Sequence, residues 1–192
     1  MKILLLIAGL FFLSVNGKAQ LATVEKIRAH YNKVNAAIAA SIRQKTSMFC
    51  NEIAVNKTGA VWANVGAYQK TTAFWYSFAD QEDEEPVELL EKVTTKTVSA
   101  SDKYSEEFLF YKGELVFYYY ITNYKTDKGP QQDEHRIYFN KGKLLKHDAA
   151  KGNMDIQPET AKAIEEEAVK NAKKLQQLFK TSNEYEDDPA AG

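Results

Sequence analysis

A chain of 192 residues that is 44% hydrophobic and 27% charged, with nine Gly, four Pro and one Cys, has ordinary globular composition, which excludes a collagen-like or disulfide-stapled architecture. Its 25 basic and 26 acidic side chains leave a net charge of −1, without the basic excess that proteins use to hold nucleic acid, so no nucleic acid partner is expected. The length suits a single domain whose core is large enough to fold without staples.

After Met1-Lys2 the run Ile3 to Val15 is apolar, has the length of a signal-peptide core, and is too short for a bilayer, which takes about 20 residues. Gly17 and Ala19 supply small side chains at the −3 and −1 positions of a cleavage site before Gln20, so residues 1–19 are expected to be an export signal. No Cys follows the run to carry a lipid; the mature chain is expected to be soluble, without a membrane anchor, in the periplasm or outside the cell. Cys50 has no internal partner, and between Phe49 and Ile53 it is expected to be buried.

From Leu21 to about Thr46, Val24, Ile27, Tyr31, Val34, Ile38 and Ile42 recur at steps of three and four, which predicts an amphipathic helix. The period then falls to two. Phe74, Tyr76 and Phe78 share one face of a strand with Trp75 on the other, Asp80 to Pro86 reads as an acidic loop, and Val93 to Val98 as a further strand. Phe110-Tyr111-Lys112-Gly113-Glu114-Leu115 and Phe139-Asn140-Lys141-Gly142-Lys143-Leu144 repeat a Phe-x-Lys-Gly-x-Leu pattern that reads as two hairpin tips, joined by a polar loop over Lys125 to Asp133. Pairing Phe110 with Leu115 and continuing straight sets Phe108 against Phe117, with Tyr119 and Ile121 on the same core side. Pro158 opens a second helix with the stripe Ala161, Ile164, Ala168, Ala172, Leu175 and Phe179. The expected fold is α+β: a long N-terminal helix, an antiparallel meander of about five to seven strands and a C-terminal helix, in one domain over residues 20–183, followed by an acidic disordered tail over 184–192.

No G-x-S-x-G elbow, H-E-x-x-H helix, P-loop, C-x-x-C pair or Rossmann glycine triplet is present, so no catalytic residue, cofactor or metal is assigned. In the straight pairing His135 lies opposite Asp148, and His147 lies opposite Arg136 on the other face, where two histidines cannot share an ion. His30 reads as a boundary residue of the first helix. What remains is an aromatic surplus: Leu109, Val116, Tyr118 and Tyr120, with Tyr138 and Leu145 nearby, form a second face too apolar for a solvated one. Tyr118, Tyr120, Tyr138 and Trp75 are therefore the candidate ligand-binding residues of an exported, soluble, non-enzymatic module for a protein or a saccharide. The alternatives are a small-ligand carrier or pocket enzyme built around His135 and Asp148, and a structural protein of the envelope.

Overall fold

The computed structural model describes residues 21–63, 66–79, 87–100, 102–149, 152–153 and 158–183. The proposed signal, the acidic loop and the acidic tail lie outside these residues. Helix α1 (Val24–Gln44) is followed by β1 (Phe49–Val55), β2 (Val61–Trp62), β3 (Gly66–Ala79), β4 (Val87–Ser99), β5 (Asp102–Tyr111), β6 (Glu114–Thr126), β7 (Gly129–Asn140), β8 (Lys143–Ala149), β9 (Gly152–Asn153) and α2 (Pro158–Asn183). The chain is α+β, with one antiparallel sheet in the order β1-β3-β4-β5-β6-β7-β8-β9 and β2 flanking β3.

Both helices are amphipathic, and each buries its stripe on a different face of the sheet. On the first face, Ile27 and Val34 of α1 pack with Leu109, Val116, Phe117 and Tyr138. On the second, Ala168, Ala172 and Phe179 of α2 pack with Phe74, Val93, Phe108, Phe110, Ile137 and Phe139. The sheet is thus a middle layer that must be apolar on both sides. Thr23 caps the start of α1, accepting from the Lys26 amide, and Lys45 ends it in the left-handed region with its N–H on the Ser41 carbonyl. The inward residue of the last turn is Ser41, whose hydroxyl meets Thr46 and accepts from the Met48 amide; Ile42, expected in the stripe, is 67% exposed.

The two Lys-Gly tips are tight two-residue turns with positive φ at both positions, Lys112-Gly113 and Lys141-Gly142, as the primed hairpin turns require. Pairing starts as expected at Phe110↔Leu115 and Phe139↔Leu144, but Val116 and Leu145 are then skipped, so that Leu109 meets Phe117 and Tyr138 meets Lys146. Each skip is a β-bulge, and it overturns the straight pairing beyond the tip. A third skip, at Glu91, separates Trp75↔Lys92 from Tyr76↔Leu90. The bulges fall on alternate strands at one level, just beyond the continuous row Cys50–Trp75–Lys92–Leu109–Phe117–Tyr138–Lys146. Between hairpins, β4/β5 and β6/β7 pair without interruption. The body of the sheet is therefore three bulged hairpins laid side by side, β3/β4, β5/β6 and β7/β8, with β1 and β2 added along β3 and β9 along β8. Lys125 to Asp133 is not a loop: β6 and β7 run through it to a tight turn, with Thr126 opposite Gly129.

Candidate functional site

The bulges set a second row across four strands, Glu107–Tyr119–Arg136–Asp148, one pleat further from the tips and on the α1 face. Arg28, Tyr31 and Asn32 face it from the flank of α1, and helix and row enclose a cleft of about 590 Å3 floored by Ile27, Phe117 and Tyr138. Its size lies within the range of small-molecule sites. The Arg28 Nε donates to the Tyr138 hydroxyl at 3.1 Å, and its guanidinium lies 3.4 Å from Asp148, which also pairs with Lys146 at 2.8 Å. The Arg136 guanidinium sits 5.6 Å from the centre of the Tyr119 ring and pairs with Glu134.

The cleft is anchored at one end by a buried cation. Lys92 is 4% exposed; its ammonium lies 2.9 Å from Glu107, donates to Asn35 at 2.8 Å and stands 4.7 Å from the centre of the Tyr31 ring. Tyr31 donates to the same Glu107 carboxylate at 2.7 Å. Burial, reinforced by that hydrogen bond, pushes the Tyr31 pKa up to about 12, so the phenol keeps its proton and stays a donor.

The four candidate tyrosine and tryptophan positions do not form one platform. Skipping Val116 turns Tyr118 and Tyr120 to the α2 side, where both pack against the core, while Tyr138 is 2% exposed beneath α1. Tyr118 stacks on Phe108 at 4.6 Å and donates to Glu106, and burial followed by that carboxylate raises its pKa. Trp75 is on the α1 face, but beside Ser41, Met48 and Cys50 at the other end of the helix. Cys50, expected to be buried, is exposed, because β1 forms one edge of the described sheet. Partial desolvation of its thiol, together with nearby Glu52, raises its pKa and makes it a poor nucleophile. His30 is half-buried, donates from Nε2 to the Phe110 carbonyl at 2.9 Å and meets the Tyr111 ring edge-on.

The pocket pairing of His135 with Asp148 is also overturned: Asp148 lies opposite Arg136 on the α1 face, and His135 projects to the α2 face. The bulge at Leu145 instead brings His135 Nδ1 to 2.7 Å from His147 Nε2, with Tyr120 stacked on His135 at 4.5 Å. The two rings share a face after all. Among the described residues no group of three or more potential metal ligands forms there. His147 is 7% exposed and its Nδ1 has no hydrogen-bond partner among the described residues, so a proton added to the pair finds no acceptor among them at that atom. Burial lowers the pKa of both rings, and at His147 the neighbouring His135 lowers it further, with Asp133 and Asp148 opposing. Both folded values lie below the ordinary 6.5, so the unfolded chain takes up protons first as the solution is acidified. The stabilisation is complete above pH 6.5 and is lost as pH falls from there through the folded values. Urea unfolding should show a loss on the order of 1 kcal/mol from pH 7 to 5, kept small because His135 is partly exposed to solvent, and absent in His135→Phe/His147→Phe. An equal loss in that variant would place the acid sensitivity elsewhere.

Arg28, Tyr31, Lys92, Glu107 and Tyr119 carry no motif that singles them out in the sequence. Arg28 and Tyr31 were visible on the helix, but only the bulged pairing shows which strand residues they face. Comparison of the chain with family models, with curated proteins and with solved structures finds no match.

Proposed function

We propose that this protein is an exported, soluble, non-enzymatic binding module that holds a saccharide unit in the cleft between α1 and the sheet. The observation that carries the proposal is the row Glu107–Tyr119–Arg136–Asp148 facing Arg28, Tyr31 and Asn32 across that cleft. Aromatic rings offer flat apolar faces to the C–H side of a sugar ring, while carboxylates, guanidinium groups and an amide supply acceptors and donors for its hydroxyls. Two arginines and two carboxylates line the cleft, which suits a neutral ligand better than a charged one. A concave site of this volume also suits a small unit better than a flat protein surface. The export signal expected over residues 1–19 supports this reading, since an exported module meets free and polymeric sugars.

The test is a glycan array followed by isothermal titration of the strongest hit. Tyr119→Ala should weaken binding at least tenfold while shifting unfolding free energy by no more than about 1 kcal/mol, since Tyr119 is only half-buried. No hit on the array, or undiminished affinity in Tyr119→Ala, would remove the proposal.

A further inference from the structure

A second cavity, of about 720 Å3, opens at the rim of the sheet where α1, the start of β4, the β5–β6 turn and the last turns of α2 meet. We propose that it binds an anionic amphiphile, a straight acyl chain ending in a carboxylate. The inner surface is apolar: Leu90 and buried Phe179 line it, and Leu89 is 40% exposed beside them. One wall is held in place by Gln176 of α2, whose amide donates to the Gly113 carbonyl at 2.8 Å.

The charges around this surface are unequally engaged. Of the two lining carboxylates, Glu88 accepts from Asn183 at 2.7 Å, and Glu91 accepts from Ser77 at 3.2 Å with His30 3.9 Å away. Lys33, Lys112, Lys173 and Lys180 also line the cavity, from three different elements, and none pairs with a carboxylate among the described residues. The Lys112 ammonium lies 5.5 Å from the centre of the Tyr111 ring. The ion-pairing capacity left over is therefore cationic and sits around an apolar floor. A compact anion would satisfy the lysines and leave Leu89, Leu90 and Phe179 uncovered, and a neutral chain would do the reverse. An acyl carboxylate covers both, and the volume lies within the range of pre-formed small-molecule pockets.

The test is isothermal titration of the full chain with dodecanoate below its micelle concentration, beside acetate, inorganic phosphate and dodecyltrimethylammonium. Dodecanoate should saturate at one equivalent and bind at least tenfold more tightly than the other three. The charge reversal Lys33→Glu/Lys173→Glu should weaken it at least tenfold, and Leu89→Ser at least threefold, with unchanged circular dichroism. Absence of saturable binding overturns the proposal, as does undiminished binding by the charge-reversed variant. Acetate or phosphate binding as tightly as dodecanoate would reduce the cavity to a bare anion site and overturn it. Equal binding of the cationic chain would mean adsorption to apolar surface and overturn it as well. Tyr119→Ala should leave dodecanoate binding intact, so this outcome is independent of whether the α1 cleft holds a sugar.

Discussion

Phe108→Ala should lower the free energy of unfolding by about 4 kcal/mol. Phe108 is 2% exposed in the middle of the sheet, between Val93 on β4 and Tyr118 on β6, and its ring stacks on Tyr118 at 4.6 Å. Truncation removes the ring's burial and leaves a cavity as well, and the size of the second term depends on how far the surroundings can close in. Here they are held apart. The strands on either side are hydrogen-bonded, and α2 presents Ala168 and Ala172 to this core, whose methyl groups are too short to fill the space. Tyr118 also loses its stacking partner while its hydroxyl stays tethered to Glu106. Phe108→Leu, which retains most of the volume, should cost about 1 kcal/mol. Urea denaturation followed by circular dichroism measures both. A loss below 1 kcal/mol for Phe108→Ala would mean that α2 is not seated over this part of the sheet.

Glu107→Ala is expected to cost about 3 kcal/mol, more than loss of an exposed ion pair, because the cost lies in the partner left behind. Lys92 has its ammonium in a nearly closed space, with Glu107 the only carboxylate in ion-pair contact among the described residues. Removing that carboxylate leaves a charge facing one amide oxygen and an aromatic ring, and takes away the acceptor of the Tyr31 hydroxyl as well. Glu107→Gln should be milder, since the amide can still accept from Tyr31. Lys92→Met/Glu107→Gln should recover much of the loss by removing both charges together. A double-mutant cycle in urea reads these differences. If Glu107→Ala and the double variant are equally unstable, the destabilisation comes from lost packing and not from the unpaired ammonium.

The elements were legible because their signals are local: the stripe of α1, the tips at Lys112-Gly113 and Lys141-Gly142, and Pro158 at the head of α2 all depend on neighbours a few residues away. Beyond the tips, a straight pairing counts Val116 as paired, which puts Phe117 on the face of Phe108 and Tyr118 on the face of Leu109, each on the wrong side. With Val116 omitted from the pairing, Leu109 and Phe117 fall on one face and Phe108, Phe110, Leu115 and Tyr118 on the other. Both sets are apolar because each has its own helix. Two amphipathic helices of similar length beside strands that are aromatic on both sides, as in Val116-Phe117-Tyr118-Tyr119-Tyr120, were the available clue. The cleft depended on the same step, since Glu107, Tyr119, Arg136 and Asp148 align only once both hairpins are bulged. For the same reason a straight pairing sets His135 and His147 on opposite faces, and the skip at Leu145 brings them onto one.

Each hairpin of the sheet joins consecutive stretches of chain, whereas the partners of α1 come much later. Tyr31 reaches Glu107 across 76 residues, His30 reaches Phe110 across 80, and Arg28 reaches Tyr138 and Asp148 across 110 and 120. In a chain that emerges N-terminus first, the apolar side of α1 stays uncovered until the surface it rests on has been made, even though α1 is the earliest of the described elements. The three hairpins close over short spans, and α1 closes over nearly the whole length of the sheet. The cleft is assembled at that last closure, so a chain cut short before β8 would contain its helical wall and lack Asp148 on the opposite side.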